Sequence, residues 1–388
     1  MSFIENTLED WEKLVKKQLK TENIYEILSK DNLENITVKP YYQNNSETKI
    51  LPKFEESTHL VAEYQDGLEE QAFAFLLNEN VENLEEKAIF INNQDLAEHI
   101  LTVDSNRYFS LIDIFSDDKA AEIDEHLAGE LLSKTFERQI GVDVSLHQNA
   151  GASIIQQLAF ALAKSKELTE KFGSEILEKL VFRFAIGSNY FFEIAKIRAF
   201  KYLFNQLSKE FEKDLIPYIF TETSFRNKAK NDADNNLIRS TLELASAMIA
   251  GADAVFSNDY KFDDSSELSK EISFKQQIVL AYESIINVFE DASSGSYFVE
   301  DITRQFAERS WKLFLEIEEK GGYLESLKSG EIQKMIFQQA VKEQSWVEEG
   351  KIKLIGANLY PKLEAKKTAN ELYNVDEIKK VRLAEMFE

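Results

Sequence analysis

The chain has 388 residues, with 45 Lys and Arg against 69 Asp and Glu, a formal net charge of −24 at pH 7. So negative a balance repels phosphate backbones and anionic lipid, which argues against nucleic-acid and membrane partners. Hydrophobic residues make up 44% of the chain, enough for a core, and the absence of cysteine removes disulfides, thiolate nucleophiles, Cys-bound zinc and iron–sulfur clusters.

The first twenty residues hold no apolar core of a secretion signal, so no cleaved leader is expected. The longest apolar runs, FAFLL (73–77) and LVFRFAI (180–186), are too short to span a bilayer. A cytoplasmic protein is the expectation. Leu8, Trp11, Val15 and Leu19 recur at helical spacing and predict an amphipathic helix over 7–20. Residues 31–58 follow as a polar, mostly extended stretch. Such an arm (1–58) packs on its own domain or on a partner, and the spacing alone leaves both open.

From His59 short β-branched or aromatic runs alternate with long helical patterns. The runs are LVAEY (60–64), KAIFIN (87–92), RYFSLID (107–113), GVDVSL (141–146), LVFRFAI (180–186), LIPYIF (215–220) and DAVFS (253–257), with a weaker eighth before SSGSYF (293–298). Helical stripes include Ile155, Leu158, Ala159 and Leu162, then Phe192, Ala195, Ala199 and Leu203; 234–250 and 299–319 behave alike. This period predicts an α/β fold, a (β/α)8 TIM barrel over 59–322, followed by a C-terminal helical extension over 323–388. An open doubly wound sheet is the runner-up, because strand runs alone do not show closure.

Common nucleotide and hydrolase signatures are missing. The four histidines, His59, His99, His126 and His147, are spread along the chain and none pairs at i, i+4, so no metal site is expected. Asp232, Asp234, Asn236 and Glu243 echo a calcium loop, but Leu237 stands where the sharp turn needs glycine. Asp124-Glu-His126-Leu-Ala-Gly129 fits a pattern that offers a histidine to cobalt, yet it sits in a helix-like stretch (118–136). Both matches read as chance. With 69 carboxylates, a catalytic pair argued from spacing alone carries no information.

Several longer stretches, taken in order, are more specific. They are His147-Gln-Asn-Ala-Gly-Ala-Ser at the head of 147–163, Tyr190-Phe-Phe-Glu-Ile-Ala-Lys-Ile-Arg-Ala (190–199), Glu222-Thr-Ser-Phe-Arg-Asn-Lys (222–228) and Asn236-Leu-Ile-Arg-Ser-Thr-Leu-Glu (236–243). Gly295-Ser-Tyr-Phe-Val-Glu (295–300), Ile317-Glu-Glu-Lys-Gly-Gly (317–322) and Arg382-Leu-Ala-Glu-Met-Phe-Glu (382–388) complete the set. Together they resemble the adenosylcobalamin-dependent methylmalonyl-CoA mutase family over nearly the whole chain, most strongly from about 140 onward.

The resemblance implies a (β/α)8 barrel with acyl-CoA threaded along its axis and a C-terminal cobalamin domain. It also implies, in many bacteria, a heterodimer of one catalytic and one degenerate subunit, with an N-terminal arm wrapping the partner. The arm here ends near Val38-Lys-Pro-Tyr-Tyr42. Several family features are missing. The Tyr-Pro-(Thr)-Met-Tyr and Arg-Pro-Trp-Thr-Ile-Arg-Gln-Tyr segments have no counterpart before the first strand, nor has Gly-Thr-Ile-Gln-Asn-Asp between 107 and 141. The Tyr-His pair is Leu146-His147, the Leu-His-Thr-Asn segment is Val255-Phe-Ser-Asn258, and an arginine is lost at Ser273-Phe-Lys-Gln-Gln277. Arg183 matches a family arginine and is the candidate substrate-binding residue. His147 matches the histidine that bonds the thioester carbonyl; with its neighbours gone it is expected to be a remnant of that catalytic residue.

Threading CoA needs small polar side chains inside the barrel. Val181, Phe182, Phe184, Tyr218, Ile219 and Phe220 make both faces of two strands bulky, so a filled axis is expected. No complete cobalamin domain is expected on this chain, and adenosylcobalamin is expected on the catalytic (large) partner. The resulting reading is the small subunit of a heterodimeric methylmalonyl-CoA mutase, stabilising that partner. The alternative is a competent acyl-CoA mutase barrel whose cobalamin domain is on a separate chain or was removed. Homodimers of the isolated chain stay open.

Overall fold

The computed structural model describes residues 7–43, 49–65, 67–68, 70–78, 87–93, 96, 105–116, 120–360 and 363–388. His99 lies outside the described residues. Helix α1 (Leu8–Leu19) starts where Thr7 and Asp10 cap each other reciprocally. It buries none of its residues. After α2 (Ile24–Leu28) the described residues before the first strand form no regular element.

Eight strands follow: β1 (His59–Glu63), β2 (Ala74–Leu77), β3 (Ala88–Ile91), β4 (Tyr108–Ser110), β5 (Ile140–Asp143), β6 (Leu180–Ile186), β7 (Tyr218–Thr223) and β8 (Ala254–Phe256). All neighbours are parallel, in the order β4-β3-β2-β1-β8-β7-β6-β5. The two end strands then meet. Ser110 N–H donates to the Arg138 carbonyl and Gly141 N–H to the Ile112 carbonyl, both at 2.9 Å, and parallel bridges join Phe109 to Arg138 and Asp113 to Gly141. A Cβ at Gly141 would sit 2.4 Å from the Leu111 carbonyl, so only glycine lets this seam close. The fold is a (β/α)8 barrel, as expected, and the open-sheet alternative falls.

One strand assignment is corrected. No strand precedes 293–298; that stretch forms turns leading into a helix. The missing strand is β2, the Ala-Phe-Leu-Leu part of the run already noted at 73–77. It is short and holds no β-branched residue, so only its pairing with β1 and β3 marks it as a strand.

The outer layer contains α3 (Glu125–Leu132), α4 (Ser145–Ala150), α5 (Ile154–Phe172), α6 (Tyr190–Glu210), α7 (Asn235–Ile249), α8 (Glu267–Ile278) and α9 (Tyr297–Glu319). Phe182 of β6 faces this layer, 4.6 Å from the Phe200 ring and 4.9 Å from Phe204 on α6. Strands covered on both faces lose hydrophobic alternation, which is why the runs read as continuously apolar. The chain ends in α10 (Gly322–Lys328), α11 (Glu331–Glu348) and α12 (Ala369–Leu372). A second apolar cluster gathers Ala340 and Val347 of α11 with Leu354, Tyr373, Leu383, Met386 and Phe387. Val381 N–H donates to the Asn149 carbonyl and Leu383 N–H to the Arg226 carbonyl, which tie this segment to the C-terminal ends of the strands.

Candidate functional site

Barrel enzymes work at the C-terminal ends of their strands, so the axis and that mouth are the places to look. The axis is solid. Val61, Ala74, Leu76, Phe90, Phe109, Leu111, Val181, Tyr218, Phe220, Ala254 and Phe256 form one inward cluster. The Phe90 ring lies 4.8 Å from Phe109 and 5.0 Å from Phe220, and Phe109 lies 5.1 Å from Tyr218. Only Val181, Tyr218 and Phe220 of the six bulky residues first singled out point inward; Phe182, Phe184 and Ile219 belong to the outer core. The other plugging rings, Phe90, Phe109 and Phe256, come from strands whose inward face the sequence could not mark.

Among the described residues, both ends of the axis carry packed rings or paired charges. At the N-terminal end Phe54 packs edge-on to Tyr218 at 5.7 Å. The Arg138 guanidinium lies 4.3 Å from the Phe54 ring centre and 5.3 Å from that of Tyr218. Asp253 holds this segment, accepting the N–H of Phe54 at 2.7 Å and of Glu55 at 3.0 Å. Beside it, His59 Nε2 stands 3.4 Å from the Glu55 carboxylate. Burial pushes His59 down to about 4 and Glu55 up to about 7, so at neutral pH His59 is uncharged and no full ion pair forms between them.

At the C-terminal end Arg183, on the inner face of β6, donates to Glu222 of β7 through Nη2 at 2.6 Å and Nε at 3.2 Å. Nη1 bonds Asn92 and stands 3.6 Å from Asp143. Burial opposes the guanidinium's charge, but Glu222 and Asp143 outweigh it and hold its pKa above the ordinary value. The candidate substrate-binding arginine is thus a cross-brace between β3, β5, β6 and β7.

His147 lies elsewhere. Its strand end turns directly into α4, which faces its ring into the helical layer. There Nε2 is 2.8 Å from the Tyr323 hydroxyl of α10, and the ring centre is 5.3 Å from Phe160 of α5. The side chain is fully buried. The structure therefore does not bring His147 and Arg183 to one site.

Among the described residues a cleft lies off the axis. It has a volume of about 570 Å³ and runs between the C-terminal ends of β5–β7, the arm and the segment after α11. Gln148, Gly187, Ser224 and Asn227 line its floor, Glu34 and Glu193 one side, and Trp346 and Leu354 the other. Asn149 organises the floor: its Oδ1 accepts from the N–H of Phe225 at 2.9 Å and of Arg226 at 3.2 Å. Arg226 is committed to the C-terminal segment, through Glu343 at 2.5 Å, the Val381 carbonyl at 2.9 Å and the Tyr373 hydroxyl at 3.1 Å. Beneath it Lys228 and Glu243 form a buried ion pair at 2.7 Å. Among these, Gln148 and Asn149 neighbour the predicted histidine, and an Asn or Gln in a turn after a strand was the available signal. Glu34 and Glu193 had none.

The cobalt-offering pattern at 124–129 is part of a helix. His126 is exposed in mid-surface on α3, 3.7 Å from Glu130, and not on a loop after a strand. Asp234 and Asn236 stand at the start of α7, with Asn236 Nδ2 donating to the Ala229 and Tyr260 carbonyls, so the calcium-loop pattern is helix structure. Among the described residues no three His, Asp or Glu side chains gather as a metal site. No described helix is long and apolar enough to cross a membrane.

A closed parallel barrel with an aromatic axis and a polar cleft at its C-terminal face defines a (β/α)8 protein with its open space displaced from the centre. Residues 133–388 match the family described as methylmalonyl-CoA mutase, and the chain belongs to that family. Over 237 residues it is 34% identical to the methylmalonyl-CoA mutase small subunit of Porphyromonas gingivalis, covering 58% of this chain and 38% of that protein. It is 31% identical to a methylmalonyl-CoA mutase of Rhizobium meliloti over 227 residues, 55% of this chain and 32% of the relative. For the Escherichia coli methylmalonyl-CoA mutase the figures are 30% over 225 residues, 54% and 31%. The chain spans about a third of the length of these relatives.

Proposed function

We propose that this chain is the small, non-catalytic subunit of a heterodimeric, adenosylcobalamin-dependent methylmalonyl-CoA mutase, which interconverts (R)-methylmalonyl-CoA and succinyl-CoA. The carrying observation is the filled axis. Four rings, Phe90, Phe109, Tyr218 and Phe220, occupy the line an acyl-CoA would follow, between Phe54 with Arg138 at one end and Arg183 with Glu222 at the other. A radical reaction needs a substrate held in a closed, dry pocket, and a barrel packed with rings has nowhere to hold one. On this reading His147 is a remnant serving the core, Arg183 braces the barrel, and adenosylcobalamin is bound by the large partner in the cytoplasm.

The arm supports a partner. Leu14 is 54% and Ile27 58% exposed, so the apolar stripe of α1 and its neighbour lacks cover. In the heterodimer residues 1–58 lie against the large subunit, and the barrel (59–322) and C-terminal extension (323–388) form the body.

Calorimetric titration of the folded chain with methylmalonyl-CoA and with free CoA tests this. No heat at millimolar ligand, together with co-purification of the large subunit, is the expected result. Micromolar thioester binding, or turnover on adding a separate cobalamin-binding chain, would establish the competent barrel instead.

A further inference from the structure

The floor of the off-axis cleft holds acceptors that lack donors. Gln148 is 7% and Glu193 5% exposed, and both line the cleft. Asn149 Oδ1 accepts two main-chain N–H groups, so the Ser224 hydroxyl donates to it, at 3.3 Å. Ser224 Oγ is then the acceptor for Gln148 Nε2, also at 3.3 Å. This order fixes which end of the Gln148 amide is which, and among the described residues nothing donates to its Oε1. Glu193 is in the same condition. Lys196 Nζ stands 2.5 Å from Glu193 Oε2, but its hydrogen bonds go to the Ala185 carbonyl at 2.7 Å and Gln157 Oε1 at 3.3 Å. Among the described residues Glu193 Oε2 accepts none. Gly187 sets the two side chains next to each other: a Cβ there would meet Gln148 Nε2 at 2.9 Å and Glu193 Oε1 at 3.0 Å.

A second carboxylate bounds the same space. Glu34 reaches in from the arm, and its two oxygens accept the N–H of Ile154 at 2.9 Å and of Ile155 at 3.3 Å at the start of α5. That is the geometry of an ionised carboxylate. The Glu193 charge repels it and the Lys196 charge attracts it. One buried ammonium thus answers two buried carboxylates. Of the other cations lining the cleft, Arg226 is taken by Glu343 and Lys351 by Glu349, and Lys353 is exposed. Surplus negative charge and orphaned acceptors are costly to bury unless water or a cationic donor meets them.

We propose that the cleft binds a small organic cation, a primary ammonium carried on an apolar or aromatic body. The head sits among Glu34, Glu193 and Gln148 Oε1, and the body lies along Phe192, Ile154 and Trp346. A primary ammonium, like that of Lys, has three N–H donors to give to these three acceptors. A hard metal ion is a poorer match, because among the described residues no third carboxylate or imidazole joins the pair. The volume of about 570 Å³ is within the range of small-molecule sites. CoA, with its phosphates, is repelled by the same carboxylates, so this site is independent of the small-subunit reading.

Calorimetric titration of the full chain tests this with hexylamine, phenethylamine and tryptamine, at about pH 7.5 and about 0.15 M salt, where the amines are charged and surface attraction is screened. Phenethyl alcohol supplies the same body without charge, and phenethyltrimethylammonium the charge without N–H. At least one primary amine is expected to bind at a single site. The alcohol and the trimethyl compound should bind about tenfold more weakly or worse. Gln148→Met removes one acceptor and leaves the Glu193–Lys196 pair intact; it should weaken amine binding about tenfold. Glu193→Gln, checked for folding by circular dichroism, should weaken it at least as much. No binding of any of these amines at about 10 mM, far weaker than small-molecule sites, overturns the proposal. So does equal binding of the alcohol or of the trimethyl compound, which would mean apolar or surface-charge attraction only. Amine binding left unchanged by Gln148→Met overturns it too.

Discussion

The axis and the off-axis cleft are built from opposite materials. Along the axis the inward residues of eight strands are mostly apolar and touch ring to ring, and the charges at each end are braced. The cleft lies a few residues away on the same strand ends. It is lined by amides, hydroxyls and carboxylates, and one wall comes from a separate stretch of chain. Interior space in a parallel barrel is shared by all strands, so bulky residues from several strands together fill it. Space at the strand ends is set by loops, which vary independently. A barrel can therefore lose its central passage and keep a cleft.

The largest test of that contrast is truncation of a ring on the axis. Phe90→Ala should cost about 4–5 kcal/mol in urea unfolding, because its neighbours are strand-borne and cannot collapse into the hole. The same truncation at Gln148, on the cleft floor, should cost about 1 kcal/mol or less. If Phe90→Ala cost no more than Gln148→Ala, the axis would not be the rigid region.

Next is the brace at the C-terminal mouth. Arg183→Met leaves Glu222 buried without its cation and should destabilise by about 3 kcal/mol. Adding Glu222→Leu should recover most of that loss. If Arg183 served a ligand and not the barrel, the single change would leave stability intact and the pair would show no recovery.

The N-terminal end of the axis should also respond to pH. His59, at the N-terminal end of the axis, is pushed down to about 4 from 6.5 by burial, with Lys53 adding to the effect. A base held below its ordinary value stabilises the fold above about 6.5, and that contribution disappears as pH falls towards 4. Its loss should reach roughly 2–3 kcal/mol, measured as the acid-side slope of stability that His59→Gln removes.

Smaller effects mark the borders of the two regions. Tyr323→Phe removes the hydroxyl bonded to His147 Nε2 and should cost about 1 kcal/mol. Leu14→Ser on exposed α1 should change the stability of the isolated chain by less than about 0.5 kcal/mol. The same substitution should reduce co-purification with the large subunit.

The alternation of runs and helices made the barrel legible before any coordinates, and the ordered motif stretches from His147 to Glu388 made the family legible. Strand β2 was missed because Ala-Phe-Leu-Leu lacks the β-branched residues that mark strands, and a turn-rich stretch near 293 was taken for it. The filled axis was anticipated from β6 and β7, but half the residues named for it face outward. A strand covered on both sides has no hydrophobic alternation, so inside and outside cannot be told apart along the chain. His147 and Arg183 were legible as residues and illegible as neighbours. One turn of α4 sends the histidine into the helical layer, while alternation sends the arginine inward.

Composition and periodicity alone determined that this chain repels polyanions, lacks thiol chemistry and alternates short strand runs with helices. Those properties are sums over residues or local repeats, and they survive ignorance of the fold. Tertiary structure decided that four rings meet on the axis, that Gly141 lets the seam close, and that Glu34 is drawn across more than a hundred residues to the start of α5. Such contacts join residues far apart in the chain. Their energies depend on burial and on neighbouring charge, which exist only once the strands have closed.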